Sequence, residues 1–354
     1  MDAPRGSLRP TTSDGWRLNL ACYPAWAVAG VAAGAAAGAE AIPSAPAAML
    51  LSPGMMLDGR AMDRPPGRGL ASFFQARGYA VYCLDLRGHG ASGPAASRQV
   101  DWNFDDLVLA DVPAAVAAVK ARHPDLPVVW LGHSLSAHAG AVALGVRPEL
   151  PIDLLVLMCP GPWVRAFEPS WPVWLAKRGV LRLWDGVAGV CGRFPARRLG
   201  IGTDDESRGY VRQHRAWGAS GRWESRDGSV DYLAALARIR RPALVVAAGG
   251  DLLCRARSVA CFAAAIGDPA AGGAELWTVT GRDLGRRLPP AHMEMITAAP
   301  SLPIWERIDA WLRERLRESG AGGHRAERQR LEESESRSET SRRPAAARGR
   351  LRGS

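Results

Sequence analysis

The stretch that most limits what this chain can fold into is Pro127-Val128-Val129-Trp130-Leu131-Gly132-His133-Ser134-Leu135-Ser136-Ala137-His138-Ala139-Gly140. An apolar, partly β-branched run stops at Gly132, and an Ala-rich, helix-forming segment follows at once. That sequence of characters predicts a buried strand, a very tight turn and a helix. Ser134 falls at the turn, so its hydroxyl stands at the carboxyl end of a strand and beside a helix N-terminus. Open α/β sheets present reactive groups there, and the helix N–H groups favour negative charge.

The remaining chain supplies the context. It has 354 residues, enough for one large α/β domain with an insertion or for two domains, and 47% of its residues are hydrophobic. The net charge of +10 is nearly all Arg, because Lys occurs only at Lys120 and Lys177. Ala, Gly and Pro are abundant and part of the excess lies in the C-terminal tail, so no nucleic-acid partner is expected. The six cysteines (Cys22, Cys83, Cys159, Cys191, Cys254, Cys261) include no C-x-x-C pair, and no zinc or other metal site is expected. Met1 to Thr12 does not have the character of a signal peptide. The Ala/Gly run Ala25 to Ala39 is too short and too poor in Leu and Ile to span a bilayer. A soluble, cytoplasmic protein without a transmembrane segment is the expectation.

Read in order, residues 1–11 are a tail, and Thr12 to Pro24 is a hairpin turning at Asp14-Gly15. Residues 25–47 are a loop or an Ala-rich helix. Ala48 to Gly54 is a short strand ending in a turn, followed by a helix over Ala71 to Gly78 and a strand over Tyr79 to Leu86. Asp105 to Arg122 fits a helix in which Pro113 must mark a kink or an end. After the Ser134 segment, Ile152 to Cys159 is β-rich. The α/β rhythm then breaks over residues 160–229, where Trp163, Trp171, Trp174, Trp184, Trp217 and Trp223 stand among Arg and Gly. A helical lid inserted into the core is expected there. Over residues 230–318 the rhythm resumes with a strand, Pro242 to Asp251, a helix, Arg257 to Ile266, and a last strand, Ala274 to Thr280. Ile304, Ile308, Trp311, Leu312 and Leu316 then share one face of a helix. Residues 319–354 are polar and low in complexity, which predicts disorder. Strands alternating with helices in this way predict a mainly parallel sheet covered on both faces.

Three chemically distinct groups stand at predicted strand ends in the order Ser134, Asp251, His292, the order of a Ser/acid/His triad on such a sheet. A serine hydroxyl attacks poorly until an imidazole takes its proton, and a carboxylate must hold that imidazole in one tautomer. Ser134 is therefore the expected nucleophile, His292 the base and then acid, and Asp251 the orienting carboxylate. Rival readings are His138 for the base and Asp283 for the carboxylate. An oxyanion is expected to meet the backbone N–H groups of Leu135 and of Met55, with Gly54 allowing close approach. His133, Trp163, Trp171 and Trp174 are further pocket candidates, although the tryptophans could equally be the lid's own core.

Leu84-Asp85-Leu86-Arg87-Gly88-His89-Gly90-Ala91-Ser92-Gly93 resembles the D-x-R-G-H-G-x-S string of α/β-hydrolases. With Gly132-His133-Ser134-Leu135-Ser136, Asp251 and His292, the chain resembles the monoacylglycerol lipase, lysophospholipase and serine aminopeptidase-like group over roughly Thr12 to Leu316. The resemblance implies an α/β-hydrolase fold and a serine esterase acting on a small, often lipid-like ester without cofactor or metal. It also implies that Asp85, Arg87 and His89 fix a loop rather than react. Two departures stand out: Ser136 replaces the usual Gly, and the Arg/Pro-rich segment before His292 is long. Alternatives are acyl transfer, amide or peptide cleavage by the same residues, or a catalytically silent binding protein.

Overall fold

The computed structural model describes residues 6–23, 45–267, 273–297 and 300–318. The Ala/Gly-rich stretch, with its membrane candidate, and the Arg-rich tail fall outside these residues, apart from 45–47. The chain divides into two units, Met1–Ala310 and Trp311–Ser354, and every element used below to build the site lies in the first.

An eight-stranded sheet with order β1-β2-β4-β3-β5-β6-β7-β8 organises that unit. Its strands are β1 (Ser7–Leu8), β2 (Asn19–Tyr23), β3 (Ala48–Ser52), β4 (Ala80–Asp85), β5 (Val128–His133), β6 (Leu154–Met158), β7 (Ala243–Ala248) and β8 (Glu275–Val279). From β4 to β8 all neighbours are parallel, whereas β1 and β2 are antiparallel additions. Ser7–Leu8 thus pair with β2, although the sequence reads as a tail there; a two-residue edge strand carries no legible period. The turn at Asp14-Gly15 is closed by the bridge Thr11 to Arg17, and the Thr12 hydroxyl accepts the Trp16 N–H.

Every residue of β3, β4, β5, β6 and β7 is buried. That is why these segments read as continuous apolar runs rather than alternating ones. Burying each Val or Leu contributes about 1.5–3 kcal/mol, which outweighs the weak intrinsic preferences of so Ala- and Gly-rich a chain.

The helices are α1 (Leu70–Ala76), α2 (Phe104–Asp106), α3 (Val112–Arg122), α4 (Leu135–Val146), α5 (Trp171–Cys191), α6 (Arg208–Ser220), α7 (Tyr232–Ala237) and α8 (Ala256–Ala264), with a last helix at residues 302–318. Pro113 is accommodated by a change of helical period. A π-helical turn over Leu107–Asp111 joins α2 to α3, so the helix widens immediately before Pro113, where an unbroken α-helical turn would press the proline ring against the carbonyl four residues back. Between β6 and β7 the chain leaves the sheet and forms α5, α6 and α7, with α5 and α6 packed together. No helix among the described residues is long and apolar enough to cross a membrane.

Candidate active site

The β5–α4 turn is as tight as its sequence demands. Gly132 sits beside Ser52 of β3, and a Cβ on Gly132 would lie 2.5 Å from the backbone of Ser136. Ser134 adopts φ +55° and ψ −116°, a region L-residues seldom occupy. Its N–H donates to the Met158 carbonyl at 2.8 Å, which anchors the turn to β6. Leu135 opens α4, so its N–H is one of those with no acceptor within the helix. Gly54 lies opposite: a Cβ there would approach the Ser134 Cβ at 3.0 Å and its Oγ at 3.5 Å. The Met55 N–H follows in the same loop.

Gly54→Val should therefore displace the Ser134 hydroxyl from beneath. A misplacement of that size costs about 10²-fold in turnover. We expect kcat for ester substrates to fall by at least that much with an unchanged far-UV circular dichroism spectrum.

Ser136 is fully buried, and its hydroxyl donates to the Pro53 carbonyl while sharing a 2.7 Å hydrogen bond with the Ser52 hydroxyl. The side chain that replaces the usual Gly thus ties the end of β3 to the first turn of α4. The tight packing accepts it because each of its polar contacts is met.

The imidazole and carboxylate candidates meet across the ends of β7 and β8. Nδ1 of His292 lies 2.6 Å from Oδ2 of Asp251. The other carboxylate oxygen accepts the N–H groups of Leu253 at 2.7 Å and Cys254 at 2.9 Å. Burial alone would raise the pKa of Asp251, but the hydrogen bond and charge of His292, with these two N–H groups, hold it below the usual carboxylate value. His292 moves the other way. Burial opposes its charge, and the hydrogen bond to Asp251, followed by contacts with Cys159 and Cys254, overrides burial and raises its pKa. Asp283, the rival carboxylate, instead accepts from the Thr280 N–H at 2.7 Å and the Thr280 hydroxyl at 2.6 Å.

The long segment before His292 reaches the site because two glycines make room for it. A Cβ on Gly249 would lie 2.7 Å from the Val279 carbonyl, and one on Gly250 2.9 Å from the Pro290 carbonyl. The Gly250 N–H donates to that same Pro290 carbonyl at 2.9 Å. Glu294 braces the segment from the other side, pairing with Arg286 at 3.0 Å and accepting the Ala291 N–H at 2.6 Å.

His133 is buried, its ring 4.6 Å from that of His292, with Nε2 donating to the His292 carbonyl at 3.2 Å. Burial first, then the neighbouring His292, pull its pKa down to about 3, so it is neutral. The ligand atoms of His133, Cys159 and His292 lie within 4.8 Å of one another, as do those of Asp251, Cys254 and His292. Both groupings arise because two thiols flank the His292–Asp251 pair, and both Asp251 oxygens are already committed to hydrogen bonds.

One cavity of about 640 Å³ joins these groups. Ser134, His292, Gly54, Met55, Leu135 and His133 line it together with Leu57, Ile201 and Met293. From the segment between β6 and β7 come, besides Ile201, Trp163, Trp184, Gly202, Tyr210 and His214.

The description "Serine aminopeptidase, S33" belongs to a family model that matches residues 55–271, more than half of the 354-residue chain. The chain belongs to this hydrolase family. His292 lies beyond the matched residues. Over 112 residues the chain is 32% identical to a monoacylglycerol lipase of Mycolicibacterium smegmatis, a stretch covering 32% of this chain and 38% of the lipase. Among solved structures, an esterase of Pyrococcus furiosus is similar with a TM-score of 0.53 and 17% identity, over 87% of this chain and 90% of the esterase. An alpha/beta hydrolase, GrgF, from Penicillium sp. sh18 reaches 0.55 with 17% identity, over 89% and 98% of the two chains. The fold is that of the α/β-hydrolases.

In this family member the Arg-Gly-His-Gly loop is structural in its contacts. Arg87 is clamped between Asp111 and Asp14 at 2.7 Å each. Asp85 accepts the N–H groups of Gly59 at 2.6 Å and Ala91 at 2.9 Å. His89 faces Glu206 at 3.6 Å with both side chains buried, and Glu206 accepts the Met56 N–H at 3.3 Å. Met56 takes φ +63°, and its carbonyl accepts the Thr203 and Asp204 N–H groups. The loop carrying Gly54 and Met55 is therefore held by the inserted segment, and through Glu206 by His89.

That pair gives a pH dependence. Burial disfavours the charge on His89, but Glu206 outweighs it and the pKa rises from 6.5 to about 9. A folded-state pKa above the unfolded one adds stability that is fully present below about pH 6.5 and lost as pH rises through about 9. The Tm of the native chain should fall over that window more steeply than that of His89→Gln, as differential scanning calorimetry at graded pH will show.

Two sequence-based pocket candidates do not line the cavity. Trp171 is 57% exposed, stacks edge-on against Trp174 and carries Arg165 over its ring, and Trp174 is buried within the inserted segment beside Arg178. Trp184 is in the cavity instead. It lies 13 residues beyond Trp171 on the same helix, and only the packing of α5 decides which face points inward. His138, the rival base, is buried in α4 and lines the cavity, but the carboxylate of Asp251 is bonded to His292.

Proposed function

We propose that the protein is a serine hydrolase that cleaves a carboxylic ester with a hydrophobic acyl group through an acyl-enzyme. The observation that carries this reading is the placement of Ser134, in its strained turn facing Gly54, in one cavity with a His292 bound to Asp251. The Ser134 Oγ attacks the ester carbonyl and its proton passes to Nε2 of His292, since Nδ1 faces Asp251. Negative charge develops on the carbonyl oxygen and is met by the N–H groups of Leu135 and Met55. Collapse breaks the bond to the alkoxy oxygen, which leaves with the proton from His292. Water, deprotonated by His292, then attacks the acyl-enzyme, and collapse releases the acid while His292 returns the proton to the departing Ser134 Oγ.

Trp163, Trp184, Leu57, Ile201 and Met293 support a hydrophobic substrate group. The segment over residues 160–229 acts as the lid, because its residues complete the cavity wall. An ester-cleaving role also agrees with the activities named for the mycobacterial lipase and the Pyrococcus esterase. Neither Ser136 nor the long segment before His292 favours a silent protein, since each has a satisfied place in the packing. A fluorophosphonate probe tests the reading: mass spectrometry should find one adduct, on Ser134. A folded protein that takes up no probe overturns it.

A further inference from the structure

At a second place the cavity wall is polar in a way the proposed chemistry does not use. His138 lies one turn of α4 beyond Ser134, and His214 comes from α6; both line the cavity, 3% and 5% exposed. Aromatic rings surround them. Phe104 lies 5.5 Å and Trp223 6.0 Å from the His138 ring, and Tyr210 and Trp217 each 5.6 Å from that of His214. These walls leave ring nitrogens unmatched. Nδ1 of His214 has no hydrogen-bond partner among the described residues, and the His138 ring has no well-formed hydrogen bond, the Ser134 carbonyl being the polar group it meets. Buried polar atoms are otherwise nearly always paired, because burial without a partner is costly.

The protonation of these rings defines what they can hold. The Trp163 N–H donates to Nε2 of His214 at 3.2 Å, so that nitrogen is an acceptor and the proton sits on the unmatched Nδ1. Burial, followed by the neighbouring His214 for His138 and by Lys177 for His214, pulls both pKa values down to about 3. His214, its acceptor taken by Trp163, offers the Nδ1–H donor, and His138, its N–H turned toward the Ser134 carbonyl, offers an acceptor nitrogen. A hydroxyl, which both donates and accepts, complements them; a carboxylate or an ammonium leaves one of the two mismatched.

We propose that His138 and His214 form a subsite for a neutral hydroxyl group carried by the substrate away from the scissile carbonyl. This rests on the ester-hydrolase reading and narrows it to hydroxylated esters. The hydroxyl belongs either to the acyl chain or to the alcohol.

The test compares kcat/KM for matched substrates on the full-length protein. One arm sets ω-hydroxyacyl p-nitrophenyl esters against plain acyl esters of the same length, and the other sets glyceryl esters against propyl esters of one acid. A site built around a hydroxyl rejects the analogue that lacks it, and we expect the hydroxylated member of one arm to be favoured about tenfold or more. The arm that shows the preference identifies which side carries the hydroxyl. In His138→Leu and His214→Leu that ratio should fall toward one, mainly through KM, whatever the variant does to the plain ester. His138→Asn, which keeps a donor and an acceptor, should recover part of it. Equal kcat/KM within both arms for the native chain overturns the subsite while leaving the hydrolase reading intact, and so does a ratio unchanged in both Leu variants. A native chain that turns over none of the esters and takes no fluorophosphonate overturns the hydrolase reading itself.

Discussion

Replacing Ser134 with Ala should lower ester turnover by about 10⁴-fold or more and abolish fluorophosphonate labelling, with only the background due to binding and oxyanion contacts remaining. The fold should survive, because Ser134 is anchored by its main chain, donating from N–H to the Met158 carbonyl, and Ala keeps that bond. A companion variant separates function from strain. At φ +55° and ψ −116° a residue with a Cβ carries about 1–3 kcal/mol of backbone strain, whereas a Gly gives back about 0.5–1 kcal/mol in unfolded-chain entropy. Strain relief is the larger effect. Ser134→Gly should thus be as inactive as Ser134→Ala yet more stable than the native chain, by about 1 kcal/mol in urea unfolding. An inactive protein of unchanged or lower stability would show that the turn is not held against its own preference.

Asp251→Asn should cost about 10⁴-fold in kcat with little change in KM. Asn fits the same space, and its carbonyl oxygen still accepts from the Leu253 and Cys254 N–H groups. Its NH₂ then faces Nδ1 of His292, where the native carboxylate stands at 2.6 Å. Two donors cannot meet, so His292 must put its proton on Nε2 and can no longer take one from Ser134. Stopped-flow or steady-state assays on a p-nitrophenyl ester measure the loss. Asp283→Asn should leave kcat within about twofold of the native value, since Asp283 is bound to Thr280 and lies outside the cavity lining. If Asp283→Asn were the damaging change, the orienting carboxylate would be misassigned.

Much of the fold was legible because its signals are local. The apolar runs that became β3, β4, β5, β6 and β7 are long, uninterrupted and bounded by turn residues, and every one of them is buried. Gly132, Ser134 and the Arg87-Gly88-His89-Gly90 string were equally readable, because each needs particular residue types at fixed spacing for steric or hydrogen-bonding reasons. The β1 edge and the π-turn before Pro113 were not, since a two-residue pairing and a one-residue change of helical period leave no repeat to read.

What the amino-acid order determined by itself is the sheet, the turn that carries Ser134, and the succession of Ser134, Asp251 and His292 along the chain. Tertiary structure alone decided how the long segment reaches back to set His292 on Asp251, because the space beneath Pro289 and Pro290 is made by Gly249 and Gly250, some forty residues earlier. It also decided that Ser136 is tied to Pro53 and Ser52 rather than intruding, and that Trp184, His138 and His214 face the cavity while Trp171 and Trp174 do not. Which side chains share a wall depends on how helices from distant parts of the chain pack, and such packing follows from the summed burial of many residues rather than from any one of them.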